Sequence, residues 1–208
     1  MRMGLRCTCV VSVLLAASFV LAQSEFSGDI VDHSEKAHRT MTKVYFGKDK
    51  VRFDSAQGSD QGAVILDFTK QNYLVLMPKQ HMYMEMPAQA MENRGMFSFF
   101  KTGDVENACS DWLNLAANKG GTCHKVGSET VNGRHTVKYE GTNAKGENAT
   151  VWLDSGVRFP IKWESKNGSG ELQNIQEGSQ PSSLFEPPAG YTRMQLPNGM
   201  QMPGMQPH

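Results

Sequence analysis

Side chains in this chain change face at almost every residue. In His81-Met82-Tyr83-Met84-Glu85-Met86 the methionines occupy every second position. An extended strand then puts Met82, Met84 and Met86 on one face and His81, Tyr83 and Glu85 on the other. Lys50-Val51-Arg52-Phe53-Asp54 repeats the pattern, with Val51 and Phe53 on one side and the charges opposite. The same period of two runs through EFSGDIVDH, HRTMTKVYF, CHKVGSETV, RHTVKYEG, NATVWLD, PIKWESK and GELQNIQEG. AVILDF and NYLVLM are instead near-continuous apolar strands. Turn signals separate these stretches: Thr69-Lys70-Gln71, Pro78-Lys79-Gln80 and the hairpin dipeptide Asn132-Gly133. DVENACSDWLNLAANKGG is the one good helical stretch. Val105, Ala108, Cys109, Trp112, Leu113 and Ala116 recur there at helical spacing, Asp104 caps the start and Gly120-Gly121 stops the end. About ten strands and one helix, with no strand–helix alternation, predict a mainly β (α+β) antiparallel meander with a helix packed on it.

The N-terminus reads differently. Arg2 and Arg6 precede the apolar run Val10–Leu21, and Val20-Leu21-Ala22 supplies small residues where a signal peptidase cuts. Residues 1–22 are therefore expected to be a signal peptide, cleaved after Ala22. Gln23, not cysteine, follows the cut, so no lipid anchor is expected, and no later stretch is apolar enough to span a bilayer. These features predict a periplasmic or secreted protein. The whole chain balances 21 basic against 21 acidic residues, and loss of Arg2 and Arg6 leaves it weakly acidic. That balance excludes the basic stripe a nucleic-acid partner requires. Cys7 and Cys9 leave with the signal, while Cys109 and Cys123 remain, the natural disulfide of an exported chain. Past Tyr191 the chain is rich in Pro, Gly, Gln and Met without periodicity, and residues 194–208 read as a disordered tail.

The segments KVRFD, GAVILDF and YLVLMPKQHMYMEMP, then VNGRHTVKYEG, VWLDSGVRFPIKWES and LFEPPAGYTRM, occur in an order that carries a resemblance. From roughly Phe26 to Met194 the chain resembles a bacterial domain-of-unknown-function family in the superfamily of LolA-like periplasmic lipoprotein carriers. The resemblance implies one domain over residues 23–193. Its fold would be a strongly curved antiparallel sheet, a half-open barrel, with one or two helices packed on the concave side. Carriers in that superfamily hold acyl chains in the hollow. The partner implied is a lipid, another apolar small molecule or a lipoprotein, with no cofactor.

Candidate lining residues are Phe53, Leu66, Phe68, Tyr73, Val75, Met77, Met82, Met84, Met86, Trp152 and Trp163, with Val51 and Val64 beside them. The aromatic stretch between Pro87 and Gly103, carrying Met96, Phe97, Phe99 and Phe100, is expected to be the lid. Methionine suits a wall that adapts to variable apolar shapes. Alternation alone does not separate a lined cavity from a packed core, and both remain open here. A second reading assigns Met194, Met200, Met202, Met205 and His208 to a soft metal such as Cu(I). The strand methionines suit that role less, because alternation lays their sulfurs along a line. Catalysis has no nominee: there is no His-Glu-x-x-His pair, no Gly-x-Ser-x-Gly elbow and no phosphate loop. His135 is expected to be a core histidine on an apolar strand face. Asp111, Glu140 and Asp154 are expected to be solvated or capping carboxylates.

Overall fold

Alternating stretches become strands that pair with their sequence neighbours. The structure is a computed structural model and describes residues 24–33, 41–55, 62–87, 103–114, 118–166 and 168–195. The strands are β1 (Phe26–Asp32), β2 (Met41–Phe46), β3 (Lys50–Ser55), β4 (Gly62–Asp67), β5 (Asn72–Met77) and β6 (Met82–Pro87). A helix, α1 (Cys109–Asn114), separates them from β7 (Thr122–Val131), β8 (Arg134–Thr142), β9 (Asn148–Asp154), β10 (Pro160–Ser165), β11 (Gly168–Glu177) and β12 (Thr192–Arg193). They form one sheet in the order β12-β6-β5-β4-β3-β2-β1-β11-β10-β9-β8-β7. Two meanders therefore meet at a single seam, where β1 pairs antiparallel with β11. Every pairing is antiparallel except β12 on β6. Here β7 and β12 are the two ends of the strand order, so the sheet is open. This is the expected curved, half-open antiparallel architecture. Register shifts in β1, β7 and β10 supply local bends that help a sheet this wide to curve.

The turns follow the sequence signals. Asn132 and Gly133 both take positive φ, 51° and 78°, as a tight hairpin requires. Pro78–Gln80 forms one 3-10 turn, closed by His81 in the left-handed region at φ 50°. His81 thus ends the turn rather than starting the strand. β12 was not foreseen: it is two residues long and sits in a Pro-rich end. Met194, directly after it, packs against the core, although it stands within the stretch expected to be a tail.

Among the described residues α1 starts later than its period suggests. A 3-10 turn at Val105–Asn107 precedes it, capped by Asp104, whose carboxylate accepts from Glu106 N at 2.9 Å. Cys109 and Cys123 form the disulfide, with Cα atoms 5.4 Å apart, tying α1 to β7. The Tyr139 hydroxyl donates to Val105 O at 2.7 Å and accepts from Ala108 N at 3.3 Å. Burial pushes the Tyr139 phenol pKa up, because a charged phenolate would lose its hydration under the helix.

Candidate functional site

Cross-strand pairing fixes which side chains share a face. Met77 faces Met82, Val75 faces Met84 and Tyr73 faces Met86. The same face continues through Val64 and Leu66 to Phe53 and Val51, then to Val44 and Phe46. Beyond the seam, Ile30 lies opposite Leu172. Trp163 lies opposite Gly170 and Val151, and Tyr139 opposite Val151. One apolar wall thus runs from β6 to β8, and the turn leading into α1 packs against its β8–β9 end through Val105 and Ala108, with Cys109 of α1 beside them. Phe53, Leu66 and Met84 belong to one cluster.

Glycines let large side chains lie flat on this wall. A Cβ at Gly170 would stand 2.3 Å from the Trp163 ring, and one at Gly28 would stand 2.9 Å from Leu172. Gly170 is therefore a seat for the Trp163 indole, and no other residue fits without displacing it.

The centre of the wall is covered by the turn between β9 and β10. Val157 and Phe159 fold onto it and are fully buried. Phe159 meets Phe26 and Phe46 edge-on, with ring centroids 5.3 Å and 5.9 Å apart, while Phe26 and Phe46 stack at 5.4 Å. What holds this turn is Asp154. Its carboxylate accepts from Gly156 N at 2.8 Å and Val157 N at 2.7 Å, and from Arg134 Nε at 2.5 Å and Nη2 at 3.1 Å. Arg134 also reaches Glu177 at 2.7 Å. The Asp154 hydrogen bonds, followed by those of Glu177, hold the Arg134 pKa above its ordinary value. Asp154 is 1% exposed, so of the two roles expected for it the structure shows the capping one and not the solvated one. Its turn role was legible in Asp154-Ser155-Gly156; its burial depends on Arg134 in the neighbouring strand.

The β3–β6 flank is less covered. Phe53, Val64, Phe68, Val75, Met77 and Met82 remain partly buried, while Leu66, Tyr73, Met84 and Met86 are buried beneath or between them. Met86 is engaged by the Tyr73 hydroxyl, 3.3 Å from its sulfur. Between the two covers, the Gly103–Glu106 segment and the Ser155–Arg158 turn, lies a cleft of about 400 Å³ lined by Asp104, Glu106, Ser155 and Arg158.

Trp152 does not belong to the wall. It alternates with Val151 and Leu153, which face α1, and so stands on the convex side. Lys162 and Lys138 approach its ring at 4.3 Å and 5.2 Å, and its indole N–H donates to Glu129, leaving it 4% exposed. Three consecutive apolar residues, Val151 to Leu153, leave the strand period silent on which faces inward. His135 is not a core histidine either: it is exposed and its ring pairs with Ser155 Oγ at 3.1 Å. Phe97, Phe99 and Phe100 lie outside the described residues, as do Met200, Met202, Met205 and His208.

This open, curved antiparallel sheet has counterparts among solved structures. Among solved structures, an uncharacterized conserved protein of Thermus thermophilus matches with TM-score 0.54 and 7% identity, over 83% of this chain and 90% of that one. MucB of Pseudomonas aeruginosa matches with TM-score 0.50 and 15% identity, over 81% of this chain and 58% of MucB. The chain thus spans a little over half the length of MucB. The LolA superfamily protein NE2245 of Nitrosomonas europaea matches with TM-score 0.35 and 10% identity, over 79% of this chain and 90% of that one. At their identities the first two likenesses are of fold alone. No protein-family model matches the chain, and no curated protein does. Among the described residues no helix is long and apolar enough to cross a membrane, and no group of His, Cys, Asp or Glu is placed to hold a metal ion.

Proposed function

We propose that the protein is exported and that, without catalysing a reaction, it binds an apolar ligand against the concave wall. The ligand class is a lipid, an acyl chain or the acylated end of a lipoprotein. One observation carries the reading: a continuous apolar wall keeps Phe53, Val64, Val75, Met77 and Met82 partly exposed on its β3–β6 flank. Each square ångström of that surface covered by an apolar ligand gains about 25 cal/mol. Methionine at two of those positions suits chains of variable length and unsaturation. Phe97, Phe99 and Phe100, outside the described residues, are proposed as further ligand contacts. Export agrees with the Cys109–Cys123 disulfide, which persists in oxidising compartments.

Native mass spectrometry of gently purified protein tests this. Bound lipid is expected in the wild type and lost in Phe53→Asp. A clean apo mass together with no uptake of an apolar fluorescent dye refutes it. That outcome selects a second reading, favoured by the burial of Val157 and Phe159 over the wall's centre: a packed domain that works through its surface.

A further inference from the structure

Methionines on two adjacent strands, and one directly after a third, stand side by side at one rim of the concave wall. Met77 of β5 lies opposite Met82 of β6, and Met84 follows on the same face of β6. β12 runs parallel to β6, with Thr192 beside Met82 and Arg193 beside Tyr83. Met194 N then donates to Tyr83 O at 2.8 Å, which continues that register and sets Met194 beside Met84. The Met194 side chain packs against the concave cluster, as Met77 and Met84 do.

Within one strand, same-face residues stand about 7 Å apart and lie on a line, a poor cage for a single ion. Adjacent strands are only about 4.8 Å apart, so Met77 of β5 and Met194 directly after β12 turn the line into a patch. Methionine side chains, with three torsions each, span either spacing. We infer that Met82, Met84 and Met194, with Met77 alongside, form a thioether site for a soft monovalent cation, Cu(I). Met82, Met77 and Met194 are partly exposed, so an ion reaches them from the rim, and Met84 forms the floor. Neutral thioethers select against Mg(II), Ca(II) and Zn(II) and favour Cu(I) or Ag(I). They carry no proton to displace, so the affinity is flat with pH, unlike that of a Cys or His site. The site shares Met77 and Met82 with the proposed apolar wall but does not rest on that reading, and Ag(I) uptake is measured apart from lipid binding.

Ag(I), redox-inert and of the same charge and softness, is the probe. It is titrated into the full chain by native mass spectrometry. The wild type takes up one ion with an affinity constant between pH 5 and 8. The affinity falls at least tenfold in the double variant Met82→Leu/Met194→Leu and holds in the tail variant Met200→Leu/Met202→Leu/Met205→Leu. Absence of binding by the wild type overturns the inference. So does undiminished binding by the sheet variant, and so does loss confined to the tail variant. A measurement without mutation guards against misfolding. In wild type carrying ¹³C-methyl methionine, Ag(I) shifts the methyl resonances of Met82, Met84 and Met194; shifts confined to other methionines overturn the site.

Discussion

Removing the Asp154 carboxylate tests how the concave wall is capped. In Asp154→Ala the buried Val157 N and the Gly156 N lose their acceptor, and Arg134 keeps only Glu177, whose side chain is 46% exposed. Breaking one side of a buried ion pair costs about 3–5 kcal/mol. The Arg134 side chain is 24% exposed and regains some water, which argues for the lower end, about 3 kcal/mol. For a chain of this size that is roughly 6–12 °C in melting midpoint. Asp154→Asn keeps an acceptor for the turn and loses only the charge, so its cost is intermediate, about 1.5 kcal/mol. Glu177→Gln, at the solvated end of the network, costs below about 0.5 kcal/mol. Urea unfolding followed by tryptophan emission gives the three values. The alanine variant should also bind 8-anilinonaphthalene sulfonate more strongly than wild type, because a loosened turn uncovers Phe26 and Phe46. If Asp154→Ala is no less stable than Glu177→Gln, the turn is held by apolar packing alone and the role given to Asp154 is wrong.

Reducing the Cys109–Cys123 bond frees a segment with a sequence separation of 14 and should lower stability by about 3 kcal/mol; equal unfolding midpoints with and without reductant would place the anchoring of α1 on Tyr139 instead. Gly170→Ala drives a methyl into the Trp163 ring and to within 2.8 Å of Val31 O, so a loss of about 2 kcal/mol is expected. Part of that loss should be recovered when Trp163→Ala is added, and full additivity of the two changes would show that the indole does not lie over Gly170. The β1–β11 seam should weaken in acid. Burial raises the pKa of Glu171 and of Asp29, but hydrogen bonds from Asn132 and Gln173 to the first, and from Asn174 and Lys43 to the second, outweigh it. Both carboxyls therefore titrate below their ordinary values of 4.5 and 3.8. Their stabilisation is complete above those values and fades as pH falls through the lowered ones. Amide exchange in β1 and β11 should accelerate through that window, and an unchanged pH profile in Asp29→Asn/Glu171→Gln would refute the linkage.

How much of this was legible in the sequence depends on how far apart the deciding residues lie. Strand existence is a local property, and each alternating stretch pairs with its neighbour as its period and its turn residues dictate. Phe53, Met82 and Met84 are placed on the wall by parity alone, whereas Leu66 and Val75, inside continuous apolar runs, are placed by their cross-strand partners Val51 and Met84. The failures are non-local. Val151-Trp152-Leu153 gives no parity, and Trp152 takes the convex side because Val151 and Leu153 are held under α1. Asp154 reads as a turn residue, yet its burial is set by Arg134, 20 residues earlier. The same logic explains AVILDF and NYLVLM. Val64 and Leu66 face the concave wall, while Ala63, Ile65 and Leu76 are buried on the convex side. A continuous apolar run announces that both faces are covered but not by what. The convex cover is Leu184 and Phe185, held where Arg52 Nη1 donates to Leu184 O at 2.8 Å, 132 residues along the chain. Gly47 makes room for Phe185, since a Cβ there would sit 2.9 Å from its ring. That wrap also leads the chain to β12 and sets Met194 beside Met84. A two-sided strand in the first half of the chain thus obliges the last described segment to cross the outer surface. The methionine rim is a by-product of that crossing, which no local pattern could have shown.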